Sequence, residues 1–441
     1  MTMTPLKSDF LEKMRQQFDN APYPRIPLEE FPKNPRALYI HSLVTAYYRR
    51  NQKVVTPAGK LILDAGCGTG YKSLELAIAN PGAKIVGIDL SPASVDLARK
   101  RLQYHNIENV EFHAIALEDL PSLGMQFDYI NNDEVLYLLP DPIAGLKAMK
   151  EVLKPDGILR TNFHSSLQRI IYHRAQKFFK QLGFMARPEP EAEVKLVREI
   201  VKCLKNDVFV KQYGWNSNFE TSDEAVLANY LLDGDKGWTI LELFEAIESV
   251  GLELISMVNW REWDLLSLFN DIGELPFNVM MGFSDQSIAQ QLHLYELLNP
   301  RHRLLDVWCG LPGQSQQYEL ISEWSDEAWQ TAIVHLPLHL ITDEFRAALK
   351  SCATEAKIFE MNRFCPLTDE SIVIDSQGTG CLLPLLEKSR SVRELVQWWQ
   401  KLRPIDLVTL EPTSEAEALV RVKELLQPLE ESGYVMIESR V

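Results

Sequence analysis

The sequence predicts an α/β protein with a doubly wound, mostly parallel sheet of seven strands. Three observations predict it. Short apolar strands and amphipathic helices alternate strictly between Lys60 and Ser165; a glycine-rich turn joins the first strand to the first helix; and two further apolar strands occur downstream. Alternation at this spacing brings right-handed crossovers between parallel neighbours, with helices on both faces.

The strands of the regular region are Leu61–Ala65, Lys84–Leu90, Val110–Ile115, Phe127–Asn131 and Gly157–Phe163, and the helices Tyr71–Ala79, Pro92–Tyr104 and Pro142–Leu153. Ser91-Pro92 is a start signal, a capping hydroxyl before a proline at the first helical position. Lys154-Pro-Asp-Gly157 reads as a stop and turn. Leu252–Asn259 and Leu304–Cys309 would be the last two strands of the same sheet, leaving helical insertions at about 167–232 and 265–298. Ahead of the core, a helix is expected over Leu6–Phe18, where Leu11, Met14 and Phe18 recur at helical spacing; a proline-punctuated stretch follows, and Pro35–Arg49 reads as one helix. Behind it, Leu382–Glu387, Ser391–Lys401 and Ser414–Ser432 read as helices and Tyr434–Ser439 as a strand. The expected organisation is an N-terminal helical segment (1–55), a sheet domain (56–312) and a smaller, mainly helical C-terminal domain (313–441) in a winged-helix-like arrangement.

The 441 residues are 46% apolar and 24% charged, an ordinary globular composition, with a formal charge of −16. Such an excess of acid argues against a nucleic-acid surface, which needs clustered Lys and Arg. Within it, Arg160–Arg198 is locally basic, which a solvated helix face accounts for. Six scattered cysteines form no C-x-x-C pair, and no stretch reaches 18 consecutive apolar residues. These features, with a first ten residues unlike a signal peptide, lead to the expectation of a cytoplasmic protein without membrane insertion.

The chemistry is carried by Asp64-Ala-Gly-Cys-Gly-Thr-Gly70, which follows an apolar strand and opens an amphipathic helix. Glycines there permit a tight turn and close backbone approach, and the helix N-terminus offers N–H groups to an anionic ligand group. A dinucleotide loop would place its third glycine at position 71, which is Tyr; a P-loop would need Gly-Lys-Ser/Thr, which is absent. Instead one acid, Asp64, ends the first strand, and another, Asp89, ends the second. An acid at that place can accept hydrogen bonds from both ribose hydroxyls, and nothing basic beside it would hold a 2′-phosphate.

Together with Val86-Gly-Ile-Asp-Leu-Ser91, Phe127-Asp-Tyr-Ile130, Val135-Leu-Tyr-Leu-Leu-Pro-Asp-Pro142 and Leu153-Lys-Pro-Asp-Gly157, this loop resembles the class I S-adenosylmethionine-dependent methyltransferases, with their Rossmann-like sheet. The resemblance implies S-adenosylmethionine as cofactor, S-adenosylhomocysteine as product, and no metal. It implies that Asp64, Ala65, Gly66, Cys67, Gly68 and Gly70 receive the methionine part, that Asp89 binds the ribose and that Leu90 packs on the adenine. The family's adenine-contacting Asp aligns with Ala116, so Leu117 and Glu118 would supply that contact. Phe18–Tyr39 resembles a cofactor-covering lid, with Tyr23 and Arg25 closing over the ligand. More loosely, Pro22-Tyr-Pro24, Glu224-Ala-Val-Leu-Ala-Asn-Tyr-Leu-Leu232 and the leucine-rich tail resemble bacterial methyltransferases with an added regulatory domain, a group that includes enzymes acting on lysines of surface proteins.

Other polar residues are open to two readings. Asn131-Asn-Asp-Glu134 would lie at the carboxyl end of the sheet, where Asn132, a candidate cofactor contact, or Asp133 either faces the cleft or caps the next helix, and Tyr137 either lines the cleft or packs. His335 and His339 are four apart, but Pro337 between them breaks the helix that metal ligation would need, so no metal is expected. Trp260, Trp263, Trp308, Trp398 and Trp399 read as packing residues. The acceptor expected from bulky helical insertions is a small molecule, specialised or lipid-derived. A protein lysine and a non-catalytic binding module are the alternatives, and nucleic acid is disfavoured. The sequence leaves the oligomeric state open.

Overall fold

The computed structural model describes Glu12, residues 14–16, Asp19, and residues 22–186, 190–315, 318–406 and 410–439. Most of the helix expected over Leu6–Phe18 lies outside them.

Seven strands form one sheet: β1 (Leu61–Ala65), β2 (Lys84–Asp89), β3 (Val110–Ala114), β4 (Phe127–Asn132), β5 (Leu153–His164), β6 (Glu253–Met257) and β7 (Leu304–Gly310), in the spatial order β3-β2-β1-β4-β5-β7-β6. β1 runs parallel to β2 with Leu61 opposite Lys84, and parallel to β4 with Ile62 opposite Tyr129; β2 runs parallel to β3 with Ile85 opposite Val110. The order reverses direction at β1, between β2 and β4, the switch point where open α/β sheets bind ligands beyond their carboxyl ends. The doubly wound sheet expected from sequence is the one observed, and both downstream strands join it.

The chain divides into two compact units, one of residues 1–131, 151–159 and 310–441, the other of residues 132–150 and 160–309. In the first, Leu74, Val95, Ala98, Leu102 and Phe112 pack the glycine-loop helix against its neighbours, with Cys67 in the same cluster. Asp128 ties strands together: it accepts from the Leu61 N–H at 2.9 Å, from Lys60 Nζ at 3.0 Å and from Lys154 Nζ at 2.7 Å. Burial pushes this carboxyl up, but those donors outweigh it and hold the carboxyl below its usual value.

Two segments differ from expectation. Lys154–Gly157, read as a turn, is extended in β5, because Lys154 reaches Asp128 and the Asp156 carbonyl accepts from Arg50. Pro35–Arg49 is broken into helices Pro35–His41 and Leu43–Asn51 by extended backbone at Ser42. The Asn80 side chain replaces the lost helical bonds there, donating to the His41 carbonyl at 2.9 Å and accepting from the Leu43 N–H at 2.8 Å. A long-range amide does what no local signal encodes.

The C-terminal part of this unit adds β8 (Ile333–His335), a short hairpin of β9 (Phe359–Glu360) and β10 (Val373–Ile374), β11 (Arg390–Ser391) and β12 (Met436–Glu438); β8 is the centre of an antiparallel sheet ordered β11-β8-β12. Helices Ser376–Leu382, Val392–Leu402 and Glu415–Glu431 accompany it. It is fastened to the N-terminal helices by Tyr48, whose hydroxyl donates to Glu430 Oε1 at 2.7 Å and accepts from the Ile437 N–H at 3.0 Å. In the second unit, helices Ile170–Gln181, Pro190–Cys203, Phe209–Gly214, Ser217–Thr221 and Asp223–Tyr230 enclose a core of Phe179, Val194, Val197, Phe219, Val226 and Tyr230.

Candidate functional site

The glycine loop leaves β1 and enters helix Tyr71–Ala79 with Gly66, Gly68 and Gly70 at φ +90°, +49° and +83°. Left-handed backbone at Gly68 coincides with close approach: a Cβ there would lie 2.3 Å from the Tyr23 carbonyl oxygen. A Cβ on Gly70 would lie 2.7 Å from Ala98 of helix Pro92–Tyr104. The glycines therefore admit the proline-rich strap on one side and the neighbouring helix on the other.

The loop's N–H groups are used inside the protein. Gly66 and Cys67 donate to the Ile88 carbonyl at 2.9 and 2.8 Å, Gly68 to Asp89 Oδ2 at 3.0 Å, Thr69 to the Tyr23 carbonyl at 3.0 Å and Gly70 to the Cys67 carbonyl at 2.9 Å. These five amides are satisfied within the protein. What it presents is a carboxylate. Asp89, fixed by Gly68 and by the Ser91 N–H at 2.9 Å, is half-buried, and burial raises its pKa against those two donors; the neighbouring Asp19 adds to the rise. Two carboxylate oxygens, each spending one lone pair on a backbone amide, suit a ligand that brings hydroxyl donors. Leu90 is half-buried beside it.

At the end of β3, Ala116 is extended and half-buried, Leu117 is buried and opens the 3-10 turn Leu117–Leu123, and Glu118 is half-buried in its first turn. Asp64 is almost fully buried and accepts from the Ser73 hydroxyl at 2.6 Å and the Asn131 amide at 3.0 Å. Its immediate work is to fix the loop to the helix and to β4. The strap from Pro22 to Leu28, which includes a cis Tyr23–Pro24 bond, is held by residues that sequence reasoning missed. Thr69 Oγ1 donates to the Pro24 carbonyl at 2.7 Å; Arg101 donates to the Thr69, Pro27 and Ile26 carbonyls at 2.9, 2.7 and 2.6 Å; His105 Nε2 lies 2.8 Å from the Leu28 carbonyl. Tyr23 and Arg25 are both exposed on this strap. Asp19 was also missed; it accepts from Ser91 Oγ at 2.6 Å. No local pattern marks either partner.

In the second unit the residues Asn132 to Glu134 are neither free nor capping. Asn132 is fully buried and accepts from Thr161 Oγ1 at 3.0 Å. Asp133 accepts from Asn162 at 2.6 Å and from Arg160, which also makes a two-pronged pair with Asp306. Glu134 makes a two-pronged pair with Arg303 at 2.5 and 2.9 Å. Around Tyr137 a knot of polar groups is closed: its ring stacks on His164 at 3.8 Å, His164 Nδ1 lies 2.7 Å from Asp235, and Arg169 donates twice to the same carboxylate at 2.8 and 3.1 Å. Arg303 Nη1 stands 3.2 Å from His164 Nε2. A guanidinium only donates, so His164 is the neutral tautomer with its proton on Nδ1, shared with Asp235. Burial lowers its pKa to about 4, in agreement. His164 is sealed from solvent within this unit.

Of the remaining residues, His335 lies 3.9 Å from Glu438, and His339 meets Tyr39 edge-on at 5.5 Å. Among the described residues no group of three His, Cys, Asp or Glu could hold a metal ion, and no helix is long and apolar enough to cross a membrane. Trp308 and Trp263 are buried, the latter stacked on His302, and Trp399 is buried in the C-terminal part.

Residues 57–214 match the family model of a methyltransferase domain. The chain is 27% identical over 313 residues to an uncharacterized protein of Synechococcus, covering 70% of this chain and 72% of that one. It is 32% identical over 160 residues to a ubiquinone biosynthesis O-methyltransferase of Cereibacter sphaeroides, covering 36% of this chain and 63% of that enzyme, so less than two thirds of the enzyme is matched. Among solved structures, PKMT2 from Rickettsia typhi in complex with AdoHcy superposes with a TM-score of 0.60 over 95% of this chain and 78% of that one, at 17% identity, a likeness of fold. Sheet order, glycine loop and matched family model together make residues 57–214 a methyltransferase domain of the class I, S-adenosylmethionine-dependent type.

Proposed function

We propose that the chain transfers the methyl group of S-adenosylmethionine to a small-molecule acceptor. The cofactor supplies a methyl group already activated by its positive sulfur, so the protein's task is alignment and exclusion of water. In this reading Asp89 accepts the ribose hydroxyls, Leu90 packs on the adenine, and Leu117 and Glu118 meet the adenine edge in place of the side chain that Ala116 lacks. The loop Asp64–Gly70 takes the methionine part, and the strap with Tyr23 and Arg25 covers it.

The observation that carries the acceptor class is a half-open pocket of about 220 Å³ in the second unit, where Trp263, Leu265, Met280, Phe283 and Ile288 stand beside Asp264, Ser284 and Gln291. That volume and mixed lining suit part of a small molecule that carries both apolar and polar groups. The identity of 32% over 160 residues with a ubiquinone biosynthesis O-methyltransferase supports the same reading. A second reading, a protein lysine acceptor, is favoured by the likeness to PKMT2, which extends over 95% of the chain and so includes its accessory parts.

Methyl-labelled cofactor incubated with the protein and a lysate of the source cells separates the two. Label in the extractable small-molecule fraction supports the first reading, and label in protein overturns it for the second. Label in neither fraction, with cofactor bound, contradicts both and leaves the binding module.

A further inference from the structure

A half-open groove of about 550 Å³ lies in the C-terminal part, between helix Asp343–Glu355, the turn Leu383–Leu386 and helix Val392–Leu402. Its apolar floor includes Leu386, Leu395 and the half-buried Trp398, whose indole N–H is spent on the Gly380 carbonyl at 3.0 Å. Its rim carries Arg346, Lys350, Arg390 and Lys401 against two acids, Glu387 and Glu394. Both acids face Arg390, at 3.7 and 3.5 Å, which leaves the Arg390 Nε buried and donating to no protein atom. Arg346, Lys350 and Lys401 make no ion pair among the described residues, and the Lys401 ammonium stands 5.9 Å from the Trp398 ring. This is a local excess of cations around an apolar floor in a chain of formal charge −16.

We propose that this groove binds an acidic peptide segment of a partner protein, one that alternates Asp or Glu with apolar side chains. The chemistry selects this occupant. Unpaired cations on a rim favour carboxylates, and distant acids of the chain are screened beyond a Debye length of roughly 8 Å. The leucine and tryptophan floor needs apolar side chains, which a phosphodiester backbone lacks, and Glu387 and Glu394 would repel a continuous run of phosphates. The groove belongs to neither the cofactor site nor the acceptor cavity, so the proposal is independent of both readings above.

The test uses the full chain and fluorescence anisotropy with three labelled probes: a peptide of alternating Glu and Leu, the same peptide with Lys for Glu, and a single-stranded oligonucleotide. The acidic peptide should bind saturably, weaken as salt rises, and lose at least tenfold in affinity to R346E/K350E, while K195E in the other unit leaves it unchanged. The double variant should in turn gain affinity for the Lys peptide, a gain that misfolding could not produce; K401E provides the same reading should the double variant not fold. No saturable binding up to millimolar peptide, equal binding of the two peptides, or tighter binding of the oligonucleotide overturns the proposal.

Discussion

The glycine loop and the knot around His164 both bury polar groups, but they satisfy them by opposite means. In the loop the partners are backbone amides close along the chain: Asp89 takes Ser91 two residues away and Gly68 twenty-one away. In the knot, side chain meets side chain across long spans: His164 to Asp235 over 71 residues, Arg303 to His164 over 139 and Arg303 to Glu134 over 169. The loop can therefore be damaged without unfolding the chain, because backbone donors survive most substitutions. The knot is more exposed to damage, because among the described residues the buried Arg169 has its ion pair with Asp235. Buried networks of this kind are high-stakes when partly satisfied.

Asp235→Ala should break that contrast most severely. It removes a fully buried carboxylate and leaves the Arg169 guanidinium buried without its charge partner. The expected loss is about 3–5 kcal/mol of stability, read by chemical denaturation. A loss below about 1 kcal/mol would mean that apolar packing alone holds the helical insertion to β5.

Acid should act on the same knot. The His164 pKa of about 4 lies below the ordinary 6.5, so the native state keeps this ring neutral while the unfolded chain takes up a proton below 6.5. Stability from this group is thus present above 6.5 and falls as pH drops from 6.5 to 4, by up to about 1.4 kcal/mol per pH unit. Asp235, held well below its usual value against the opposing push of burial by hydrogen bonds from His164 and His173 and by Arg169, adds its own loss once pH falls below 3.8. His164→Gln should flatten the slope between 6.5 and 4; an unchanged slope would assign it to other groups.

On the loop side, Gly68→Ala places a methyl group against the Tyr23 carbonyl on left-handed backbone. About 2 kcal/mol of stability should be lost, with cofactor affinity falling at least tenfold in calorimetry as the strap is displaced. Retained affinity would show that the strap does not cover the ligand.

These contrasts explain what was legible. Asp64, the three glycines and Asp89 stand out because turn geometry and a strand-end acid leave few residue choices, and the alternation of periods located β1 to β5 within a few residues. The downstream strands were found by apolar runs alone. What stayed hidden was set by distant side chains. Asn80 breaks the expected helix at Ser42 from 37 residues away, counted to Leu43. Arg101 ties down the strap from 74 residues away. Asn131 to Glu134 read as cleft-facing or capping residues, whereas their partners Asp64, Thr161, Asn162, Arg160 and Arg303 complete them only in three dimensions. Such residues carry no period and no turn signature, so their roles follow from the fold rather than predict it.

Asp89→Ala should sharpen the comparison by separating binding from stability. Cofactor affinity should fall by about 1–3 kcal/mol, the scale of hydrogen bonds to a charged group. Stability should change little, since only the Gly68 and Ser91 amides lose a partner at a half-buried site. Unchanged affinity in a folded variant would remove Asp89 from the cofactor site. Glu118→Ala should weaken binding less than this, and an equal effect would mean that the adenine edge is read mainly by Glu118.

The smallest expected effect is that of Thr69→Val. The substitution keeps the side-chain shape and the Thr69 N–H bond to the Tyr23 carbonyl, and removes only the hydroxyl that donates to the Pro24 carbonyl. One hydrogen bond of this kind contributes roughly 1 kcal/mol. Arg101 holds the strap two and three residues further on, at Ile26 and Pro27, so the segment should stay docked and loosen only near Pro24. If the strap covers the bound cofactor, that loosening should speed cofactor release a few-fold in stopped flow and leave the unfolding midpoint nearly unchanged. A shift in the midpoint without a change in release would make the strap a brace for the glycine loop and not its lid.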